Sequence, residues 1–293
     1  MTSRLALLIN PRSGRGLTAA EVSSVHDRLA AGGLAVSVLS GHESAQFSAL
    51  ARDAVAAGYD ILAVMGGDGS VHLALQAVVG SPTVLAVIPT GTGNDLARAL
   101  GLPRNDLLAA ADVIINGQPR SIDTAKAGER AFVTVLASGI DSRASERANT
   151  LRRPRGQLRY ILATLAELRV FEPVHYTLTL DGFRLSVEAM LVAVGNTSSY
   201  GGGLRMCEGA EADDGLLDVV VIAPMSKLDL IKVYPRLLTG THVRHSAYSR
   251  HQVRSVTLEA TDVVAYADGE RLGPLPITVE VAARSVDVMV TAA

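Results

Sequence analysis

Three times in the first hundred residues an apolar run of about five residues ends in a glycine-bearing loop and gives way to an amphipathic segment. The runs cover residues 5–9, 61–65 and 84–88, with a fourth at 35–39. The loops read Asn10-Pro11-Arg12-Ser13-Gly14-Arg15-Gly16, Gly66-Gly67-Asp68-Gly69-Ser70 and Thr90-Gly91-Thr92-Gly93-Asn94-Asp95. Short apolar runs alternating with amphipathic stretches imply a buried parallel sheet with helices on both faces. Gly32-Gly33, Gly58 and Gly101 stand where helices of such a unit would end. A glycine loop lets backbone N–H groups approach an anion, and the helix that follows adds its positive end. One such loop reads as a plain strand-to-helix connection. Three at the same end of consecutive strands converge on one crevice of the kind that holds nucleotide phosphate.

From residue 121 the text becomes β-rich, with apolar or alternating runs at 130–136, 174–181, 183–194, 216–222, 255–258 and 277–281. Asp181-Gly182 between two of them signals a hairpin. Helical insertions are expected at 157–170 and 226–238. The expected fold class is therefore an α/β doubly wound parallel sheet over 1–120, followed by an antiparallel β-rich domain over 121–293. A tight hinge is expected near 117–123, and the strand at 286–290 is a candidate to return to the first domain. A net charge of -2 speaks against nucleic acid as a partner. Cys207 is the only cysteine, which excludes an internal disulfide and a cysteine metal site and suits a reducing cytoplasm. The apolar start is too short for a signal-peptide core, and no run approaches the roughly 18 apolar residues of a spanning helix. Any membrane contact is expected to be peripheral.

The order of the boxes carries more than any one of them. Asn10-Pro11-x-Ser13-Gly14, Gly66-Gly67-Asp68-Gly69-Ser70 and Pro89-Thr90-Gly91-Thr92-Gly93-Asn94-Asp95-Leu96-Ala97-Arg98 are followed by Tyr200-Gly201-Gly202-Gly203, Asp213-Asp214-Gly215-Leu216-Leu217-Asp218 and Asp268-Gly269-Glu270. This succession resembles the diacylglycerol kinase catalytic-domain family, with its bacterial diacylglycerol kinases and its sphingosine and ceramide kinases, over nearly the whole chain. The second box alone also fits NAD kinases. The third box and the late Asp-Gly-Glu narrow the resemblance. It implies an NAD kinase/diacylglycerol kinase-like fold and transfer of the γ-phosphoryl of ATP, with Mg²⁺, to a lipid hydroxyl. Diacylglycerol is the expected acceptor and phosphatidic acid the expected product.

Carried onto this sequence, the resemblance places nucleotide at Asn10, Pro11, Arg12, Ser13, Gly14, Ser40, Gly66, Gly67, Asp68, Gly69, Ser70, Val71, His72 and Thr92. Ser40 also reads as an ordinary polar loop residue or cap. Asp68 is the sharpest of these. A carboxylate in a glycine turn facing phosphate invites a cation between them, although an Asp also supports turns. Asp95 and Asp123 match acids of a metal and water network. Locally they also read as an early-helix acid and a strand-end turn residue, and Asn94 as a helix cap. Asp268 matches the family's general base and Glu270 its partner, while Asp-Gly is equally hairpin text. Glu211, Asp214 and Leu216 match a loop that binds a structural Mg²⁺, and adjacent acids before glycine are also ordinary turn text. Ser70 stands where the family commonly has Thr, and Leu73 where it has Glu.

Residues 141–160 hold six arginines, Arg143, Arg147, Arg152, Arg153, Arg155 and Arg159, against two acids, and run into an apolar helix. That mixture suits an anionic bilayer surface or a solvated loop. The partners expected are ATP, a lipid hydroxyl acceptor and an anionic membrane touched from the cytoplasmic side. A homodimer is compatible with the reading. The alternatives are the same chemistry on a sphingoid base, ceramide or glycolipid, then NAD kinase, then a catalytically silent lipid- or nucleotide-binding regulator motivated by Leu73.

Overall fold

The computed structural model describes residues 2–292 except 12, 15, 151–161, 165, 168 and 169. It divides into two compact units, residues 1–124 with 283–293, and residues 125–282.

In the first unit β1 (Arg4–Ile9), β2 (Ala35–Ser40), β3 (Ile61–Gly66) and β4 (Val84–Pro89) pair in parallel in the order β2-β1-β3-β4. β1 and β3 bury nearly every residue, as strands covered on both faces must. One face packs Leu5, Leu7, Ile61, Ala63, Met65 and Ile88 against Val25 and Leu29 of α1 (Ala19–Ala31) and Ala110, Ala111 and Ile114 of α5 (Leu107–Asn116). α2 (Ser44–Ala56) and α3 (Asp68–Val78) pack on each other, with Phe47, Ala51, Ala74, Leu75 and Val78 buried. Thr18 and Glu21 form a reciprocal capping box that fixes the start of α1. α4 (Asp95–Ala99) is a single short turn after the third loop. Beyond β4 the sheet gains the end of the last strand, where Val288 pairs in parallel with Leu85, and then β5 (Gln118–Ala127).

The second unit is a β-sandwich. β6 (Arg130–Phe132) pairs with the end of β5. One layer holds β8 (Val174–Leu180), β9 (Phe183–Ala189), β13 (Ser255–Glu259) and the start of β16 (Ile277–Val290), antiparallel in the order β16-β13-β8-β9. The other layer runs β12 (Tyr248–Val253), β11 (Leu217–Ile222), β10 (Leu191–Gly195), β7 (Val135–Gly139), β14 (Val264–Ala267) and β15 (Glu270–Pro274). Their inner faces share a core that includes Phe132, Leu136, Tyr176, Leu178, Val192, Val219, Val256 and Val279. The outer face of the second layer is covered by Ile140, Phe171, Leu204, Met206, Cys207 and Leu237. α6 (Ile140–Thr150) and α7 (Lys227–Val233) belong to this side, α7 running on into a 3-10 helix, Tyr234–Leu238.

Two runs read as single strands are divided. Residues 183–194 cross from one layer to the other at Met190, whose N–H donates to Ile222 O and whose carbonyl accepts from Ile140 N–H. Residues 130–136 split into β6 and β7, because Val133 and Thr134 turn their N–H groups to a side chain. Conversely, the runs at 277–281 and 286–290 form one strand of 14 residues. The expected helix at 157–170 and four of the six arginines, Arg152, Arg153, Arg155 and Arg159, lie wholly or largely outside the described residues.

Candidate active site

The three glycine loops of the first unit touch one another. Asn10 leaves β1 with its N–H on Met65 O at 3.2 Å, and its Nδ2 donates to Ser70 Oγ at 3.2 Å. Ser13 Oγ accepts from Thr90 Oγ1 at 3.0 Å, tying the first loop to the third. Gly14 has φ 57, and a Cβ there would overlap the Thr90 carbonyl oxygen. A Cβ on Gly91 would stand 2.7 Å from the Gly67 Cα, so the second and third loops meet backbone to backbone. Glycine here is a steric requirement of the meeting. The N-terminus of α3, an 11-residue helix with Gly67 as its cap, opens into this cluster. It therefore presents N–H donors and the positive end of a helix where an anion would lie. Ser70, Val71 and His72 are buried in its first turns, Ser40 closes β2 half-buried, and Thr92 is exposed.

Asp68 has partners of its own. Its Oδ2 accepts the Asn94 N–H at 2.8 Å and its Oδ1 the Asp95 N–H at 2.6 Å. It thus caps the start of α4 from another loop, supplying the negative group that a helix N-terminus favours. Asn94 occupies the cap position with φ 51, but its side chain does not cap the helix. Its Oδ1 accepts from Gly91 N at 3.0 Å and its Nδ2 donates to Gly91 O at 2.9 Å, which braces the third loop. A Cβ on Gly93 would lie 2.5 Å from Asp68 Oδ2 and 3.4 Å from Asp95 Oδ2, so two carboxylates face the space that glycine leaves open. Like charges at one small space, with oxygen donors only, fit a hard divalent cation. Among the described residues no group of three or more His, Cys, Asp or Glu side chains could hold a metal ion. A cation at Asp68 and Asp95 would complete its shell with water or phosphate oxygens, as Mg²⁺ commonly does.

Asp123 is not at a strand end. It sits within β5, fully buried, with Oδ1 accepting the Arg284 N–H at 2.7 Å, and Arg284 takes φ 49 to make that bond. Leu73 is half-buried on α3.

In the second unit Asp268 and Gly269 form the two-residue turn between β14 and β15, with φ 51 and 82. Asp268 Oδ1 accepts from Thr134 N at 2.9 Å and Thr134 Oγ1 at 2.6 Å, and Oδ2 accepts from Val133 N at 3.1 Å. Thr134 is buried and its carbonyl takes the Asn196 N–H, so three donors on a fixed backbone orient this carboxylate. Thr134 and Asn196 carry no sequence signal of their own. Glu270 opens β15 and is exposed. The acids Glu211 and Asp214 are exposed, and Asp214 Oδ1 accepts the Leu216 N–H at 2.9 Å. Burial raises the nearby Asp218 carboxyl, the Arg250 ion pair opposes this, and the charges of Asp214 and Glu211 add to it. Elsewhere, desolvation pushes Asp141, at the start of α6, up to about 6 against a hydrogen bond from Tyr200. Tyr200 is itself raised well above its ordinary value, first by burial and then by the Asp141 charge.

Comparison with known proteins fits this geometry. The family model "Diacylglycerol kinase catalytic domain" matches residues 4–127, and the "YegS C-terminal NAD kinase beta sandwich-like domain" matches residues 134–290. The chain belongs to the diacylglycerol kinase family. A diacylglycerol kinase of Mycobacterium tuberculosis (strain H37Rv) is 37% identical over 98% of this chain and 94% of its own length. One of Bacillus subtilis (strain 168) is 29% identical over 93% and 91%. Among solved structures, one described as a diacylglycerol kinase from Bacillus anthracis superposes with a TM-score of 0.77 at 21% identity, covering 98% of this chain and 96% of that one. A second Bacillus anthracis structure reaches 0.83 at 23% identity, over 98% and 97%. Those two likenesses speak to fold. Membership in this family makes the chain an ATP-dependent lipid kinase, a phosphotransferase with an alcohol acceptor. Among the described residues no helix is long and apolar enough to cross a membrane.

Proposed function

We propose that this kinase transfers the γ-phosphoryl of ATP to the free hydroxyl of diacylglycerol, giving phosphatidic acid and ADP. The observation that carries the acceptor's identity is the relatedness, over 98% of the chain, to the diacylglycerol kinase of Mycobacterium tuberculosis at 37% identity. In the reaction the lipid oxygen bonds to the γ-phosphorus, the bond from that phosphorus to ADP breaks, and the hydroxyl proton leaves. Asp268 receives that proton. Its three donors hold the carboxylate in one orientation, which is what a positioned base requires. Glu270, two residues on, is its acidic neighbour.

The phosphates are bound by the loop cluster, with N–H groups from the start of α3 and hydroxyls of Ser13, Ser70 and Thr92. Asp68 and Asp95 would hold Mg²⁺. When bound, the ion neutralises charge that accumulates on the transferring phosphoryl group. Asp123 extends the acidic set. The Asp214 loop, with carbonyls of Glu211 and Leu216, is the second place where oxygen donors suit Mg²⁺. Of the basic segment 141–160 expected to meet an anionic membrane, Arg152, Arg153, Arg155 and Arg159 lie outside the described residues, while on α6 Arg147 is paired with Glu167 and Arg143 donates to Asp262 O at 3.3 Å.

Radiolabelled ATP offered with diacylglycerol, ceramide, sphingosine, a glycolipid and NAD tests the proposal. Labelled phosphatidic acid is expected. A labelled product from another acceptor alone would replace diacylglycerol, and label in none would return the chain to a binding role. In chelator turnover should vanish, and the thermal midpoint should also fall if the Asp214 loop holds the ion.

A further inference from the structure

α7 and the 3-10 helix that continues it form one helical stretch, residues 227–238, with two apolar sides. Leu230, Tyr234 and Leu237 face inward and pack on the outer core of the sandwich, and Val233 is buried. Leu228, Ile231 and Leu238, offset by three and seven residues along the helix, face outward and are 70%, 52% and 60% exposed. Helices on a soluble surface put polar side chains there. A single exposed leucine means little, but three on one ridge mark a surface that is covered in use.

The surroundings of the ridge name the cover. Over residues 219–249 the chain has four cations, Lys227, Lys232, Arg236 and Arg244, and one acid, Asp229, in a protein whose net charge is -2. That acid is engaged within the helix. Asp229 accepts from Ser226 Oγ at 2.7 Å and lies 3.7 Å from Lys232 Nζ, while its N–H bonds the Ser226 cap. Lys227, Lys232 and Arg236, all exposed, flank the ridge. An apolar ridge between cations is the form of a helix that lies in the headgroup boundary of an anionic bilayer, with apolar side chains among the acyl chains and cations at the phosphates.

We infer that the outward face of residues 227–238, the ridge Leu228, Ile231 and Leu238 with its flanking cations, docks this kinase on an anionic lipid bilayer. The inference deepens the lipid-kinase reading by naming the face that meets the membrane holding the acceptor.

The chain contains no tryptophan, so Ile231→Trp and, separately, Leu228→Trp each create a lone reporter at an exposed position. With phosphatidylcholine vesicles containing phosphatidylglycerol, both should shift to the blue and be quenched by brominated acyl chains. Phosphatidylcholine alone should produce neither effect, and salt should reverse the shift, since about 10 Å of screening at 0.1 M salt weakens the cationic contact. Phe183→Trp, exposed at the β8–β9 turn, should report nothing. Changing Leu228, Ile231 and Leu238 together to Ser should weaken vesicle co-sedimentation about tenfold or more and leave turnover of a water-soluble short-chain diacylglycerol unchanged. Reporters that stay water-exposed on vesicles the parent binds, equal shifts on neutral vesicles, a parent that binds no vesicles, or self-association lost in the triple variant with vesicle binding intact would each overturn the docking face. A parent that docks as described but phosphorylates no diacylglycerol would overturn the acceptor instead.

Discussion

Asp181 and Asp268 do the same structural work. Each opens a two-residue Asp-Gly hairpin turn with positive φ at both positions, 45 and 90 for the first and 51 and 82 for the second. Each turns its carboxylate to two consecutive backbone N–H groups of another segment, Arg254 and Ser255 for Asp181, Val133 and Thr134 for Asp268. The Thr134 hydroxyl is the addition at Asp268. Bracing a turn therefore accounts for both aspartates, and beyond that hydroxyl it is the proposed catalytic role of Asp268 that would separate them. Asp268→Asn keeps one acceptor oxygen and leaves a backbone N–H without its partner, a cost of about 1–3 kcal/mol. At Asp181 the one oxygen Oδ1 accepts both N–H groups, and the amide of Asp181→Asn can keep them. Asp268→Asn should in addition lose roughly 10²-fold or more in lipid turnover with little change in ATP affinity, because the amide accepts no proton. Asp181→Asn should turn over normally at a temperature where both are folded. Equal turnover in the two folded variants would make Asp268 a brace alone. Sequence alone could not weigh these roles, because the partners of Asp268 lie about 130 residues away. The same holds for Asp68, whose hold on Asn94 and Asp95 joins two loops that no local spacing connects.

At the scale of elements, what was legible followed from local chemistry. Strand runs that end in glycine loops and Asp-Gly turns between alternating runs appear as the sequence places them, because each is decided within a few residues. The passage of residues 183–194 from one layer to the other was not legible. Met190 is apolar like its neighbours, and the crossing is set by hydrogen bonds to Ile140 and Ile222 from elsewhere in the chain. Glycine at a loop carries two separable demands, conformation and space. Gly58 has φ 70 with nothing within 4 Å of a Cβ, whereas Gly14 has φ 57 and a Cβ that would overlap Thr90 O. Gly58→Ala should therefore cost about 1–2 kcal/mol of stability through the left-handed backbone and leave the ATP dissociation constant unchanged. Gly14→Ala should push the first loop from the third and weaken ATP about tenfold or more. Parallel losses in both variants, measured by melting and by nucleotide titration, would mean that the contact between loops does not shape the phosphate site.

For the molecule as a whole, one titration links the sandwich to pH. The Asp141 carboxyl, at the start of α6, is pushed by desolvation from 3.8 up to about 6, with the Tyr200 hydroxyl bonded to it. The folded chain thus binds this proton more tightly than the unfolded chain does. The stability it contributes is fully present below pH 3.8, falls as pH rises through about 6, and is constant above that. At about 1.4 kcal/mol per unit the whole swing is at most about 3 kcal/mol. Asn at this position carries no charge at any pH and still offers Tyr200 an acceptor. Asp141→Asn should therefore match the parent near pH 4 and exceed it in unfolding free energy at pH 7, by about 1–3 kcal/mol, with the gap opening between pH 4 and 6. Other carboxylates titrate in the same window, but they are common to both proteins and cancel in the difference. Urea melts of the pair at pH 4, 5, 6 and 7 measure it. A difference that does not change with pH would mean that Asp141 meets water as freely in the folded sandwich as in the unfolded chain, and that its bond to Tyr200 stands in a solvated crevice.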